Sequence, residues 1–139
     1  MPLSDQPNLF PTKSKVASSL SKNSFSQSAK IVFALCDAVG NKSETLALTN
    51  YNLFLQNRGD HFYLLNMLGR QLRLLVLAQK KALTHEKTYT QEKMIPQAKL
   101  WTLPELRDAF EKNVSLEENA KSGEIDLEIG FLPFLKSLF

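Results

Sequence analysis

The chain has 139 residues with a formal net charge of +3, 43% hydrophobic and 22% charged, which suits one folded domain and excludes a wholly disordered chain. No apolar run approaches the ~20 residues of a membrane span. A single cysteine, Cys36, with two histidines excludes an intrachain disulfide framework and the usual four-ligand zinc site. The N-terminus lacks the apolar stretch of a secretory signal, so the expectation is a cytoplasmic domain. Charge is uneven: residues 1–100 hold 13 Lys/Arg against 6 Asp/Glu, and residues 101–139 hold 4 against 8. Either nucleic acid lies near the basic part, or basic and acidic helices face each other or solvent.

Residues 1–27 are serine-rich, without a sustained period, and predict a flexible polar tail. The segment Ala29–Val39 is almost entirely apolar, and Gly40 is placed to end it as a left-handed residue. Ser43 is a natural N-cap for a second helix in which Ala47, Leu48, Tyr51, Phe54 and Leu55 share one face. Gly59 should close that helix and Asp60 cap a third, running from about His61 to Ala82, about 33 Å long. Residues 84–93 (THEKTYTQEK) read as a loop, followed by a short helix over Met94–Leu100 limited by Pro96. Thr102-Leu103-Pro104-Glu105 is a capping box with Pro in the first turn. The helix it starts carries Leu106, Phe110 and Val114 and closes at Lys121-Ser122-Gly123. A last helix begins near Asp126, and Pro133 should kink or split it. No strand pattern competes, so the fold class is all-α, a single bundle of five to six helices over residues 28–139. The predicted core comprises Phe33, Leu35, Tyr51, Phe54, Leu64, Leu68, Leu72, Leu75, Leu106 and Phe110.

Catalytic signatures are missing. The sequence has no phosphate loop of the GxxxxGK[ST] type, no GxGxxG, no HExxH and no GxSxG. Cys36 lies in an apolar stretch and reads as a buried thiol. His61 shares the face of Leu64 and Leu68 and reads as a satisfied, partly buried histidine, whereas His85 lies in a polar loop and should be exposed. No catalytic residue, cofactor, metal or small-molecule substrate is expected; the chain reads as a binding or scaffold module.

The order and spacing of several short motifs resemble a known family. The segment Phe33-Ala34-Leu35-Cys36-Asp37-Ala38-Val39 resembles the "F-x-L-x-D-A-[IV]" helix that opens the C-terminal domain of the bacterial DNA polymerase III delta subunit. Leu65-x-x-Leu68-x-Arg70-Gln71-Leu72-Arg73-x-Leu75 is similar to its "L-x-x-L-x-R-Q-F-R-x-L" helix, the most distinctive piece. Gln97-Ala98, Glu105-Leu106 and Lys121-Ser122-Gly123 follow in the family's order. The resemblance spans about residues 30–139. It departs where Thr84–Lys93 replaces the family's "L-G-x-H-P-F", at Glu117 in place of the usual Asp, and at Gly130 and Pro133. The resemblance implies a collar-like helical domain of the clamp loader, joined to neighbouring clamp-loader subunits by helix-to-helix contacts and touching DNA only through the complex. It implies no clamp opening or ATP hydrolysis by this chain, which would be at most a non-catalytic part of a DNA polymerase holoenzyme. With only a polar segment before Ile31, the chain looks like a fragment, a split-gene product or a stand-alone relative of that domain.

A candidate interface comes from the angles of the third helix. With Leu68 at zero, Leu64, Leu72 and Leu75 fall within about 40°, facing the core. Arg70 falls at about 200° and Arg73 at about 140°, with Tyr63, Met67, Leu74 and Leu77 between about 180° and 260°. Two explanations stand. Another helix covers this side while the arginines pass along it, or it is a partner interface where the planar guanidinium pairs with carboxylates. The resemblance adds weight to Arg70 and Arg73 as residues that tie helices together or touch a neighbouring subunit. The competing function is direct nucleic-acid binding through Lys80, Lys81, Lys87, Lys93 and Lys99, though these are not interleaved with aromatics. A non-assembling remnant of the family is a further alternative.

Overall fold

Local capping chemistry sets the helix starts. A computed structural model describes residues 27–139, with α1 over 27–40, α2 Glu44–Gln56, α3 His61–Gln79, α4 Thr88–Ala98, α5 Leu103–Lys121 and α6 Leu127–Ser137. No strand occurs among the described residues. The predicted tail over 1–27 lies outside them, save Gln27. Ser43 Oγ accepts from the Leu46 amide at 3.4 Å, and Asp60 and Asp126 accept from Phe62 and Glu128 at 2.9 and 3.0 Å. Thr102 and Glu105 form the reciprocal box: Thr102 Oγ1 accepts from the Glu105 amide at 3.2 Å while Glu105 accepts from the Thr102 amide at 2.9 Å. These contacts satisfy amide donors that have no partner within the first turn.

Helix α3 ends at Gln79 rather than near Ala82, and three further features differ from the sequence reading. Helix α4 begins at Thr88 rather than Met94, although Thr88–Lys93 has no apolar period. Its second half buries Met94, Gln97 and Ala98, and its first half is tied by polar contacts, Gln91 Nε2 donating to the Glu86 carbonyl at 2.8 Å and Lys93 pairing with Asp37 at 2.7 Å. Gly40 and Gly59 are not the left-handed residues; Lys42, Arg58 and Lys81 are, at φ 57°, 55° and 55°. At both glycines a side chain would collide, with the Gln97 and Gln71 amides at Gly40 and with the Phe54 ring at Gly59. The left-handed glycine is Gly123, at φ 85°, where α5 ends. Finally, Pro133 does not split α6. Pro133 and Ile129, whose carbonyl it leaves without its helical partner, are both exposed, so water can reach that carbonyl.

Helix α3 is the spine, packed against α4, α5 and α6 within the unit Ile31–Phe139. Its Leu64, Leu68, Leu72 and Leu75 are fully buried, alongside Val32 and Leu35 of α1, Leu106 of α5 and Phe131 and Leu135 of α6. Helix α2 joins through Tyr51 and Phe54. The Tyr51 ring stacks on Phe131 at 5.2 Å and the Phe54 ring meets His61 edge-on at 5.0 Å. Two predicted core residues are on the surface: Phe33 is 47% exposed and Phe110 36%. Helix α1 buries the stripe Ile31, Val32, Leu35, Cys36 and Val39, and Phe33 falls outside it. Phe110 borders an open groove between α3 and α5.

Candidate partner interface

The family-like motif residues divide into two groups, one buried and one exposed. The buried group is a polar knot where α1, α3 and α4 meet. Gln71 Nε2 donates to Gln97 Oε1 at 2.6 Å, and Gln97 Nε2 donates to Asp37 at 3.3 Å. Asp37 also pairs with Lys93 at 2.7 Å, which holds the Lys93 ammonium above its ordinary range. Trp101 Nε1 donates to the Gly40 carbonyl at 2.9 Å, with Lys42 Nζ above the Trp101 ring at 4.5 Å. Gln79 closes the α3–α4 edge by donating to the Ala98 carbonyl at 2.9 Å and to that of Trp101. The knot therefore unites Asp37 of the "D-A" motif, Gln71 of "R-Q" and Gln97 of "Q-A". The side chains are satisfied by one another, which suits a structural role.

Asn113 forms a smaller joint, donating from Nδ2 to the Leu65 carbonyl at 3.1 Å. Gly69 faces the Asn113 amide, which is why a glycine stands there: even a methyl group would sit 3.0 Å from Oδ1. His61 is buried, and its Nε2 lies 3.0 Å from the Tyr51 hydroxyl. Burial lowers the His61 pKa and raises that of Tyr51, with Glu128, Asp60 and Asp126 pulling His61 the other way. Burial also pushes the Cys36 thiol up to about 12, so it is no nucleophile at neutral pH. His85 is exposed, as expected. Among the described residues no cluster of three or more His, Cys, Asp or Glu is placed to hold a metal. None of their helices is long and apolar enough to cross a membrane.

The exposed group is the outer stripe of α3. Phe62, Asn66, Arg70, Arg73 and Lys80 are exposed, with partly buried Leu77 in line, a spacing of three and four that marks one helix face. On the angular scale used above it covers about 120° to 200°. Leu65 and Gly69, which meet Asn113 of α5, lie at about 60° and 100°, and Gln71, which meets α4, at about 300°. The stripe is the gap between those neighbours. Tyr63 and Met67, at its edge, are half-buried against the core. Leu74 is 2% exposed and belongs to the core. At about 240° it lies between the open sector and the α4-facing Gln71, and its burial, not its angle, removes it from the exposed surface. Phe62, not among the sequence candidates, shares this exposed stripe at about 120°, beside Arg73.

The two arginines differ in surroundings. Arg70 reaches Glu86 in the α3–α4 connection at 3.9 Å, whereas Arg73 has no ion pair among the described residues. The lysines of the nucleic-acid reading stand in different surroundings. Lys93 is committed to Asp37, while Lys81 and Lys99 border a cleft of about 670 Å³ between the end of α3 and α4.

Residues 29–138 match the family model of the DNA polymerase III delta subunit, C-terminal domain. The chain belongs to this family. The match covers the bundle from the start of α1 through α6, and it agrees with the resemblance carried by the Asp37, Gln71–Arg73 and Gln97 motifs. The family is a non-catalytic component of the clamp loader. Comparison with curated proteins and with solved structures returned no match.

Proposed function

We propose that this chain is an assembly domain of a bacterial, cytoplasmic clamp loader, joining neighbouring subunits through helix-to-helix contacts and serving sliding-clamp loading without chemistry of its own. The observation that carries this reading is the family match over residues 29–138, the whole of the bundle. The geometry supports it in two ways. The buried polar side chains Gln71, Gln97, His61 and Asn113 have hydrogen-bond partners inside the bundle, and Arg73, without an ion pair among the described residues, lies with exposed Phe62 and half-buried Leu77 on the stripe that α3 turns outward. Arg70, linked to Glu86, ties α3 to the following connection and supports the interface from within. DNA contact then arises through the complex. Arg73→Ala tests the reading: it should reduce co-purification with the other clamp-loader subunits several-fold while leaving helicity and melting temperature unchanged. Equal recovery of variant and wild type removes Arg73 from the interface.

A further inference from the structure

Helices α3 and α5 leave between them a groove of about 530 Å³, lined by Arg73, Val76, Lys80, Leu103, Arg107, Phe110 and Glu111. Val76, Leu103 and Phe110 supply its apolar lining. Cations stand on both sides, Arg73 and Lys80 on α3 and Arg107 on α5. None of the three is ion-paired among the described residues, and Glu111 is the groove's one carboxylate. Leu103, Arg107 and Phe110 are spaced four and three along α5, and Arg73, Val76 and Lys80 three and four along α3. Each wall is therefore about 10 Å long, two turns of a helix.

We infer that this groove receives an acidic, amphipathic helix from a partner protein, its apolar residues against Val76, Leu103 and Phe110 and its carboxylates against Arg73, Lys80 and Arg107. Charge complementarity selects this occupant. Three unpaired cations around an apolar strip fit a segment with a Leu or Phe ridge flanked by Glu or Asp, and two guanidinium groups suit carboxylates bidentately. A nucleic-acid strand fits less well. Val76 and Leu103 are aliphatic and leave Phe110 as the one aromatic face in the lining, and the cations bracket a pocket rather than follow a backbone. In naming a neighbouring clamp-loader subunit as the source of the helix, the inference rests on the assembly reading.

The test is fluorescence anisotropy of the full chain with three labelled probes. They are a 16-residue helical peptide with a Leu/Phe ridge and Glu flanks, its twin with Lys for every Glu, and a 16-base-pair DNA duplex. The acidic peptide should bind at least tenfold tighter than its twin. Arg73→Glu and Arg107→Glu should each weaken it at least tenfold, while Lys87→Glu, outside the groove, leaves it unchanged. The wild-type comparison of the two peptides decides even where a reversal disturbs folding. Equal binding of the two peptides overturns the inference. So does duplex binding as tight as the acidic peptide's and equally sensitive to both reversals, which makes the groove a phosphate site. Co-purification with clamp-loader subunits but no acidic-peptide binding overturns the groove and keeps the assembly reading. Peptide binding without co-purification overturns the named source and the assembly reading together.

Discussion

Gly40→Ala is the most informative single change, because two physical effects oppose each other there. Gly40 is the last residue of α1 and has ordinary helical backbone geometry rather than a positive φ. By propensity alone, alanine would stabilise such a helix by up to about 1 kcal/mol. Its methyl group, however, would occupy the space of the Gln97 amide and lie 2.8 Å from Gln71 Nε2. The Gln97 side chain is flexible in principle, but Gln71 and Asp37 hold its two ends. Moving it breaks the buried Gln71–Gln97 hydrogen bond, and a buried polar group left without a partner costs about 1–3 kcal/mol. The net expectation is a loss of about 1–2 kcal/mol, read as a lower midpoint in urea unfolding at unchanged slope. In a Gln97→Ala background the tightest obstruction is gone and Gln71, released from its Gln97 partner, need only turn its amide aside, so Gly40→Ala should cost clearly less than in the parent chain. A double-mutant cycle measures that coupling directly. Stabilisation by Gly40→Ala in the parent chain would refute the close-packing account of this glycine.

Leu68→Ala, at a fully buried position of α3, should cost about 2–5 kcal/mol in chemical denaturation; a loss below 1 kcal/mol would place the core elsewhere. His61 has a lowered folded-state pKa, so between pH 6.5 and that lowered value the unfolded chain binds more protons than the folded one. Stability should therefore be full above pH 6.5 and fall as the pH drops through this window, and His61→Gln should flatten that slope. Cys36 should resist a disulfide thiol reagent in the native protein and react fully in denaturant, and rapid native reaction would contradict its burial. Gly123→Ala, at φ 85° with open space around it, should cost about 1 kcal/mol from backbone strain alone, measurable as a lower thermal midpoint.

The bundle was legible in the sequence because its start signals are local. Ser43, Asp60, Thr102 with Glu105, and Asp126 each announce a helix, and the 3.6-residue period of Leu64, Leu68, Leu72 and Leu75 identifies the core face of α3. Helix α4 was half hidden because Thr88–Lys93 has no apolar period and is tied by polar contacts, Gln91 to the Glu86 carbonyl and Lys93 to Asp37, that no periodicity announces. Phe33 and Phe110 misled because a large aromatic on an amphipathic helix was assumed to point inward, whereas one borders a groove and the other lies beside the buried stripe of α1. The polar knot had a signal that composition could not decode. Asp37, Gln71 and Gln97 each sat in a family-like motif, but only the fold brings residues 26 and 60 positions apart into hydrogen-bonding distance. Helical angles put Arg70 and Arg73 on the exposed side of α3, where they lie, but put buried Leu74 there too, since a wheel shows direction but not how far a neighbouring helix wraps.

The central claim is that this bundle acts by joining a clamp loader. Native mass spectrometry of the full chain co-expressed with the clamp-loader subunits of its own source tests it most directly. The account predicts a defined hetero-oligomer that contains this chain, with less of it when Arg73 is replaced by alanine. A chain that appears only by itself, folded and helical while the other subunits assemble without it, would contradict the account.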